Sequence, residues 1–115
     1  MEKTPFIYAG RDGRQPFVDW MNSLKDLDAQ GRILARLERV RLGLLGDCKP
    51  VGAGVSELRV NFGPGYRVYF GQVGRSIVVL LCGGSKATQR KDIEAAKRYW
   101  QDCKSGNNAQ KHALR

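Results

Sequence analysis

Histidine occurs once in the chain, at His112 near its end, so an acid–base couple built from two histidines is excluded by count. Cysteine is nearly as scarce. Cys48, Cys82 and Cys103 form an odd set with no C-x-x-C spacing, which fits neither a disulfide framework nor a zinc site. No metal and no cofactor is expected. No apolar run approaches the ~20 residues that span a bilayer, and the opening MEKTPFIYAGRDGRQ lacks the basic-then-apolar layout of a secretory leader. The chain therefore reads as soluble and cytoplasmic, with no membrane partner. Acidic residues are the third shortage: 11 Asp and Glu stand against 20 Lys and Arg, a formal charge of +9 on 115 residues. Such a balance favours polyanionic partners, nucleic acid or an acidic protein, and no free-standing basic amphipathic helix points to a membrane surface.

What is present is enough for one folded domain, with 42% apolar and 27% charged residues. A short β-rich run, residues 4–9, ends in the turn-forming GRDGR. Proline at position 16 starts a helix whose apolar stripe is Phe17, Trp20, Met21, Leu24 and Leu27. Asp28 is placed to cap a second helix carrying Ile33, Leu37, Val40 and Leu44. From Gly52 the period changes to two. Residues 55–62, 66–70 and 76–82 read as three strands of an antiparallel meander, and residues 88–104 as a third helix burying Ile93, Ala96 and Trp100. The order β-α-α-β-β-β-α is an α+β domain over residues 1–104, a helical hairpin plus a C-terminal helix on a small antiparallel sheet. Residues 105–115 read as a flexible tail.

The segment FGPGYRVYFG carries the first functional signal. If Phe62 and Tyr66 pair at the mouth of the hairpin, Val60 faces Val68 and Leu58 faces Phe70 on the core side. Arg59 then faces Tyr69 and Asn61 faces Arg67 on the other side. Two guanidiniums on adjacent strands repel unless an anion joins them, and each offers a fork suited to phosphate, while Tyr69 offers a ring for a base. The bland alternative is a solvated sheet face with Glu57 as counter-charge. The apolar strand IVVLLC then runs into Gly83-Gly84-Ser85-Lys86-Ala87-Thr88-Gln89-Arg90-Lys91. There, open backbone N–H groups and three cations (Lys86, Arg90, Lys91) crowd one turn before a helix. Ser85 or Thr88 as a simple cap is the competing explanation. A further basic stripe, Arg32, Arg36 and Arg39, lies at i, i+4 and i+7 on the second helix. It reads first as a solvated face that RNA or an acidic partner segment could use.

GVSELRV, GPGYRVYF, LLCGGSKATQRKDI and the closing AAKRYW together resemble the RelE/HigB-like toxins, in the branch of phage-type addiction-module killer proteins. The resemblance covers about residues 4–104 in the right element order. It implies the toxin of a type II toxin–antitoxin pair, a metal-independent mRNA endoribonuclease acting on the ribosome. A cognate antitoxin, often a helix-turn-helix protein, would silence it in a hetero-oligomer. Arg59, Arg67 and Lys86 match the family's basic positions. Several relatives carry a tyrosine a few residues after the basic turn, where this chain has Gln89, Asp92 and Ile93.

The expected catalytic set is Arg59, Arg67, Lys86 and Tyr69. The arginines meet charge on the phosphorane, Lys86 does the same or acts as acid, and Tyr69 stacks a base or serves as one. Asn61, Gln89, Arg90, Lys91, Arg32, Arg36 and Arg39 are expected to bind RNA. Two other readings are a ParE-like gyrase inhibitor and a non-enzymatic nucleic-acid-binding phage accessory protein.

Overall fold

The structure, a computed structural model of the chain, describes residues 2–106 and 112–113. Strand β1 (Thr4–Ile7) is followed by helices α1 (Pro16–Ser23) and α2 (Leu27–Arg41). Four strands come next: β2 (Cys48–Gly52), β3 (Val55–Val60), β4 (Tyr66–Val73) and β5 (Ile77–Ser85). A single 3₁₀ turn, Lys86–Thr88, leads into α3 (Gln89–Lys104), and β6 (His112–Ala113) closes the order. The expected α+β class, with helices packed on a sheet, is what the chain adopts. The remaining tail residues, 107–111 and 114–115, lie outside the described residues.

The strands form one sheet in the order β2-β3-β4-β5-β1-β6. It is not wholly antiparallel as expected, because β1 inserts beside β5 in parallel, Thr4 opposite Ile77 through Ile7 opposite Leu80. The additional strand β2 pairs with β3 at the far edge. Its sequence CKPVG is mostly exposed and contains Pro50, which suits an edge position and hides it from a search for alternating apolar residues.

Both helix starts have a local cause. Pro16 occupies the first turn of α1, where its missing N–H costs nothing. Asp26 caps α2, rather than Asp28: its carboxylate accepts the N–H groups of Asp28 (2.9 Å) and Ala29 (3.3 Å). The α1 stripe consequently stops at Leu24, and Leu27 opens α2 with 77% of its surface exposed. Leu44, past the end of α2, is also exposed. Gln30 ties the helices together, its side-chain amide donating to the carbonyls of Met21 (3.0 Å) and Leu24 (2.8 Å).

Alternation along the strands builds two cores. On one face Leu58, Val60, Val68, Phe70, Val78 and Leu80 meet Phe17 of α1 and Ile33 and Leu37 of α2. On the other, Val55, Tyr69, Val79 and Leu81 meet Ala96 and Trp100 of α3 together with Tyr8. A bulge opposite Tyr69–Phe70 lets Leu81 and Cys82 both join this second core. The face expected to be wet is therefore largely covered by α3. Replacing Trp100, 4% exposed, by Ala should cost about 3–5 kcal/mol, whereas Leu27→Gln should stay within about 0.5 kcal/mol. Urea midpoints of the two variants check this; a Trp100→Ala loss below about 1 kcal/mol would mean that α3 does not seal this face.

Candidate functional site

The β3–β4 hairpin keeps the expected faces but not the expected pairs. Arg59 stands directly opposite Arg67, and Glu57 opposite Tyr69, a slip of two residues from the pairing in which Arg59 faced Tyr69. The cause is the loop. Residues 61–65 form a five-residue connection: Phe62 N–H turns back to the Val60 carbonyl (2.9 Å), and Gly63 and Gly65 take φ of 56° and 81°. A slip of two preserves which face each side chain occupies, so the arginines still share one. Asn61 leaves the strand, is exposed, and reaches only Asp47 at 3.5 Å.

Beneath the two arginines sits Glu57, wholly buried. Its carboxylate accepts hydrogen bonds from Gln89 Nε2 (2.8 Å), the Tyr69 hydroxyl (3.0 Å) and Arg59 Nε (3.3 Å). Arg67 Nε lies 3.9 Å away, an ion pair too long for a hydrogen bond. It is the one buried side-chain nitrogen or oxygen without a hydrogen-bond partner among the described residues. Arg59, Arg67 and Glu57 together carry one net positive charge, the Asp92 carboxylate not counted. Burial pushes the Glu57 carboxyl up, but the bonds from Gln89, Tyr69 and Arg59 and the Arg67 charge outweigh it and hold it below the ordinary glutamate value.

Tyr69 is not the exposed ring that the sequence suggests. It has no exposed surface, so it cannot stack a base. Burial first, then the charge and hydrogen bond of Glu57, push its hydroxyl far above the ordinary tyrosine value, so it keeps its proton and cannot serve as base. Gln89, expected to contact RNA, is instead a strut from the first turn of α3 to Glu57.

The glycine turn is also different from its expected form. Gly83 and Gly84 belong to β5, opposite Val68 and Arg67, and are no open anion nest. They are glycines because of close approach: a Cβ on Gly83 would fall 2.2 Å from the Trp20 ring, and one on Gly84 1.8 Å from Asp92 Oδ2. Asp92 accepts a hydrogen bond from the Thr88 hydroxyl, so a half-buried carboxylate lies over the strand position next to Arg67. Lys86 is exposed beside the hairpin loop, its N–H donating to the Gly65 carbonyl at 2.9 Å. Among the described residues no acidic side chain pairs with Lys86, Arg90 or Lys91. Arg90 and Lys91 line a separate shallow pocket of about 410 Å³ on α3 with Glu94 and Arg98.

The α2 stripe is divided. Arg36 donates from one terminal nitrogen to the carbonyls of Leu45 (3.1 Å), Asp47 (3.3 Å) and Arg59 (3.4 Å), a structural clamp between α2 and β3. Arg32 lies 4.2 Å over the Phe62 ring, and Arg39 is exposed. Cys82 is buried, and burial pushes its thiol up to about 12. Among the described residues no three His, Cys, Asp or Glu side chains gather as a ligand set.

No family model matches the chain. Over 81 residues, 70% of this chain and 82% of the other, it is 48% identical to a protein of Haemophilus influenzae described as an uncharacterized protein. The chain belongs to that protein's family. That membership carries no activity with it, so the functional reading stands on the site itself.

Sequence reasoning assigned Glu57 only a counter-charge and missed Asp92. The signal for Glu57 was present in SELRV, where alternation puts Glu57 and Arg59 on one face of the strand. A depressed carboxyl makes stability depend on pH with a definite sign. Glu57 contributes fully above the ordinary glutamate value of 4.5, and the contribution is lost as pH falls through its lower folded value. Glu57→Ala should cost about 3–5 kcal/mol at neutral pH by leaving the guanidiniums uncompensated. Glu57→Gln should flatten the acid limb of a plot of urea midpoint against pH; an unchanged limb would place the acid sensitivity in other carboxylates.

Proposed function

We propose that the chain is the toxin of a type II toxin–antitoxin pair, of the RelE/HigB-like kind, that cleaves mRNA on the ribosome in the cytoplasm. The observation that carries this reading is the cross-strand pair Arg59–Arg67 held over one buried carboxylate, with a net positive charge and an unpartnered Arg67 Nε. Such a pair is a preorganised seat for a phosphate. Glu57 hydrogen-bonds the Arg59 fork from below, and Arg67 is buried beside the same carboxylate, so little reorganisation is needed when charge develops on the phosphorane.

The attacking 2′-hydroxyl must lose a proton, and the leaving 5′-oxygen must gain one. Lys86, exposed beside the hairpin loop, is assigned in this reading to meet the leaving oxygen or donate to it. Tyr69 is withdrawn from both roles by burial. With no histidine in the cluster, most of the acceleration is assigned to charge stabilisation and to alignment of the substrate by the ribosome. The antitoxin, a helix-turn-helix protein in this reading, silences the enzyme within a hetero-oligomer. No helix of the described residues is long and apolar enough to cross a membrane. A second reading, a nucleic-acid-binding module without catalysis, is favoured by the retained proton on Tyr69.

Cell-free translation with primer extension on the message separates the two: codon-phased breaks are expected. Arg67→Ala should reduce cleavage by about 10²–10³, and Arg67→Lys should recover little because the fork is lost. Tyr69→Phe should lower stability by about 1 kcal/mol while affecting cleavage far less than Arg67→Ala. An Arg67→Ala protein that folds and cleaves normally would remove the arginine pair from catalysis. Translation arrest without breaks would favour the binding module, and relaxed plasmid DNA would favour a gyrase inhibitor.

A further inference from the structure

Arg59 leans on Glu57 and also lines a second feature, a groove of about 360 Å³ between α2 and the end of β3. Arg32, Arg36, Arg39, Asn61 and Phe62 form much of its wall. Four arginines meet one acid there, Asp47. The four differ in what they have left to offer. Arg36 is committed to backbone carbonyls, and Arg59 shares Glu57 with Arg67. Arg32 and Arg39 are exposed and have no acidic partner among the described residues. They stand two helical turns apart, ~10 Å along the α2 axis.

We propose that this groove binds the single-stranded RNA segment flanking the phosphate held by Arg59 and Arg67, an inference that rests on the nuclease reading of that site. Arg32, already stacked on Phe62, presents a guanidinium plane on which an unpaired base stacks. Arg39 meets a backbone phosphate. Arg59, common to groove and cluster, makes the two one continuous track. Duplex RNA hides the base faces that the Arg32–Phe62 stack would use. An acidic peptide supplies charge but no base ring to stack on it. Arg36 and Arg39 stand at i and i+3 on α2, neighbouring positions of like charge whose repulsion a polyanion relieves.

The test is fluorescence anisotropy of a short unstructured RNA, 2′-O-methylated so that it cannot be cut, across about 50–200 mM salt. Arg39→Gln should lower the slope of log affinity against log salt by about 0.7, the value of one single-strand phosphate contact, and Arg32→Gln should weaken binding at every salt concentration with a smaller change of slope. Arg98→Gln on α3, which lines a different pocket, should leave the slope unchanged. Arg32→Gln should also abolish any preference for the RNA over an abasic strand of equal length. Equal slopes for all three variants overturn the groove. Duplex RNA bound as tightly and with the same losses overturns base stacking there. Losses confined to a glutamate-rich peptide make the groove a protein-contact surface instead. Primer extension with the wild-type protein keeps the two ideas separate. Codon-phased breaks with unaltered slopes retain the nuclease and remove the groove; altered slopes without breaks retain the groove and remove the nuclease.

Discussion

A carboxylate with no exposed surface is costly unless something keeps it charged and satisfied, and the region around Glu57 is arranged to meet that cost. Three hydrogen bonds and two guanidiniums converge on it from three different elements. Arg59 comes from its own strand, Arg67 and Tyr69 from the next, and Gln89 from the first turn of α3. The interaction therefore fixes the β3–β4 register, the seating of α3 and the direction of both guanidiniums together. Slipping the hairpin by two would move Tyr69 and Arg67 away from the carboxylate. Lifting α3 would remove Gln89 and open the second core over Trp100.

This coupling explains which parts of the molecule were legible in the sequence. The face of each residue in β3 and β4 was readable because burying Leu58, Val60, Val68 and Phe70 leaves one parity for Arg59 and Arg67. The register was not, because it depends on how residues 61–65 fold back, and two pairings of equal parity satisfy the same apolar pattern. Strand β2 escaped because an edge strand with a proline and mostly exposed residues has no alternation to detect. Asp26 and Asp28 both suit a cap, and only the end of α1 at Ser23 decides between them.

The largest misjudgement concerned Tyr69, and its cause is physical. The stripe Ile93, Ala96 and Trp100 demands an apolar surface somewhere, and IVVLLC advertises a strand buried on both sides. Together these imply a helix on the second face of the sheet. Once α3 lies there, a tyrosine in the middle strand is necessarily covered, and its hydroxyl needs a buried acceptor. Glu57 is that acceptor. The same step converts a surface counter-charge into the centre of the site and turns Gln89 from an RNA contact into a strut.

Burial also divides the chain's excess positive charge into two kinds. Arg59 and Arg36 are hydrogen-bonded to carboxylate or carbonyl groups and Arg67 is confined by burial beside Glu57, so their positions are set before any ligand arrives. Arg32, Arg39, Lys86, Arg90 and Lys91 are exposed without acidic partners among the described residues, and all but Arg32, which stacks on Phe62, retain the rotamer freedom of long side chains. Fixed cations contribute most where geometry must match a transition state, since no ordering cost is incurred at the moment of reaction. Free cations contribute mainly to encounter and to salt-dependent affinity. The held arginines lie on or against β3 and β4, whereas Arg32 and Arg39 stand on α2, Lys86 in the turn before α3, and Arg90 and Lys91 on α3 itself. In the proposed reading, a polyanion drawn in by the second kind is passed to the first, so the candidate site depends on that spatial order rather than on bulk charge alone.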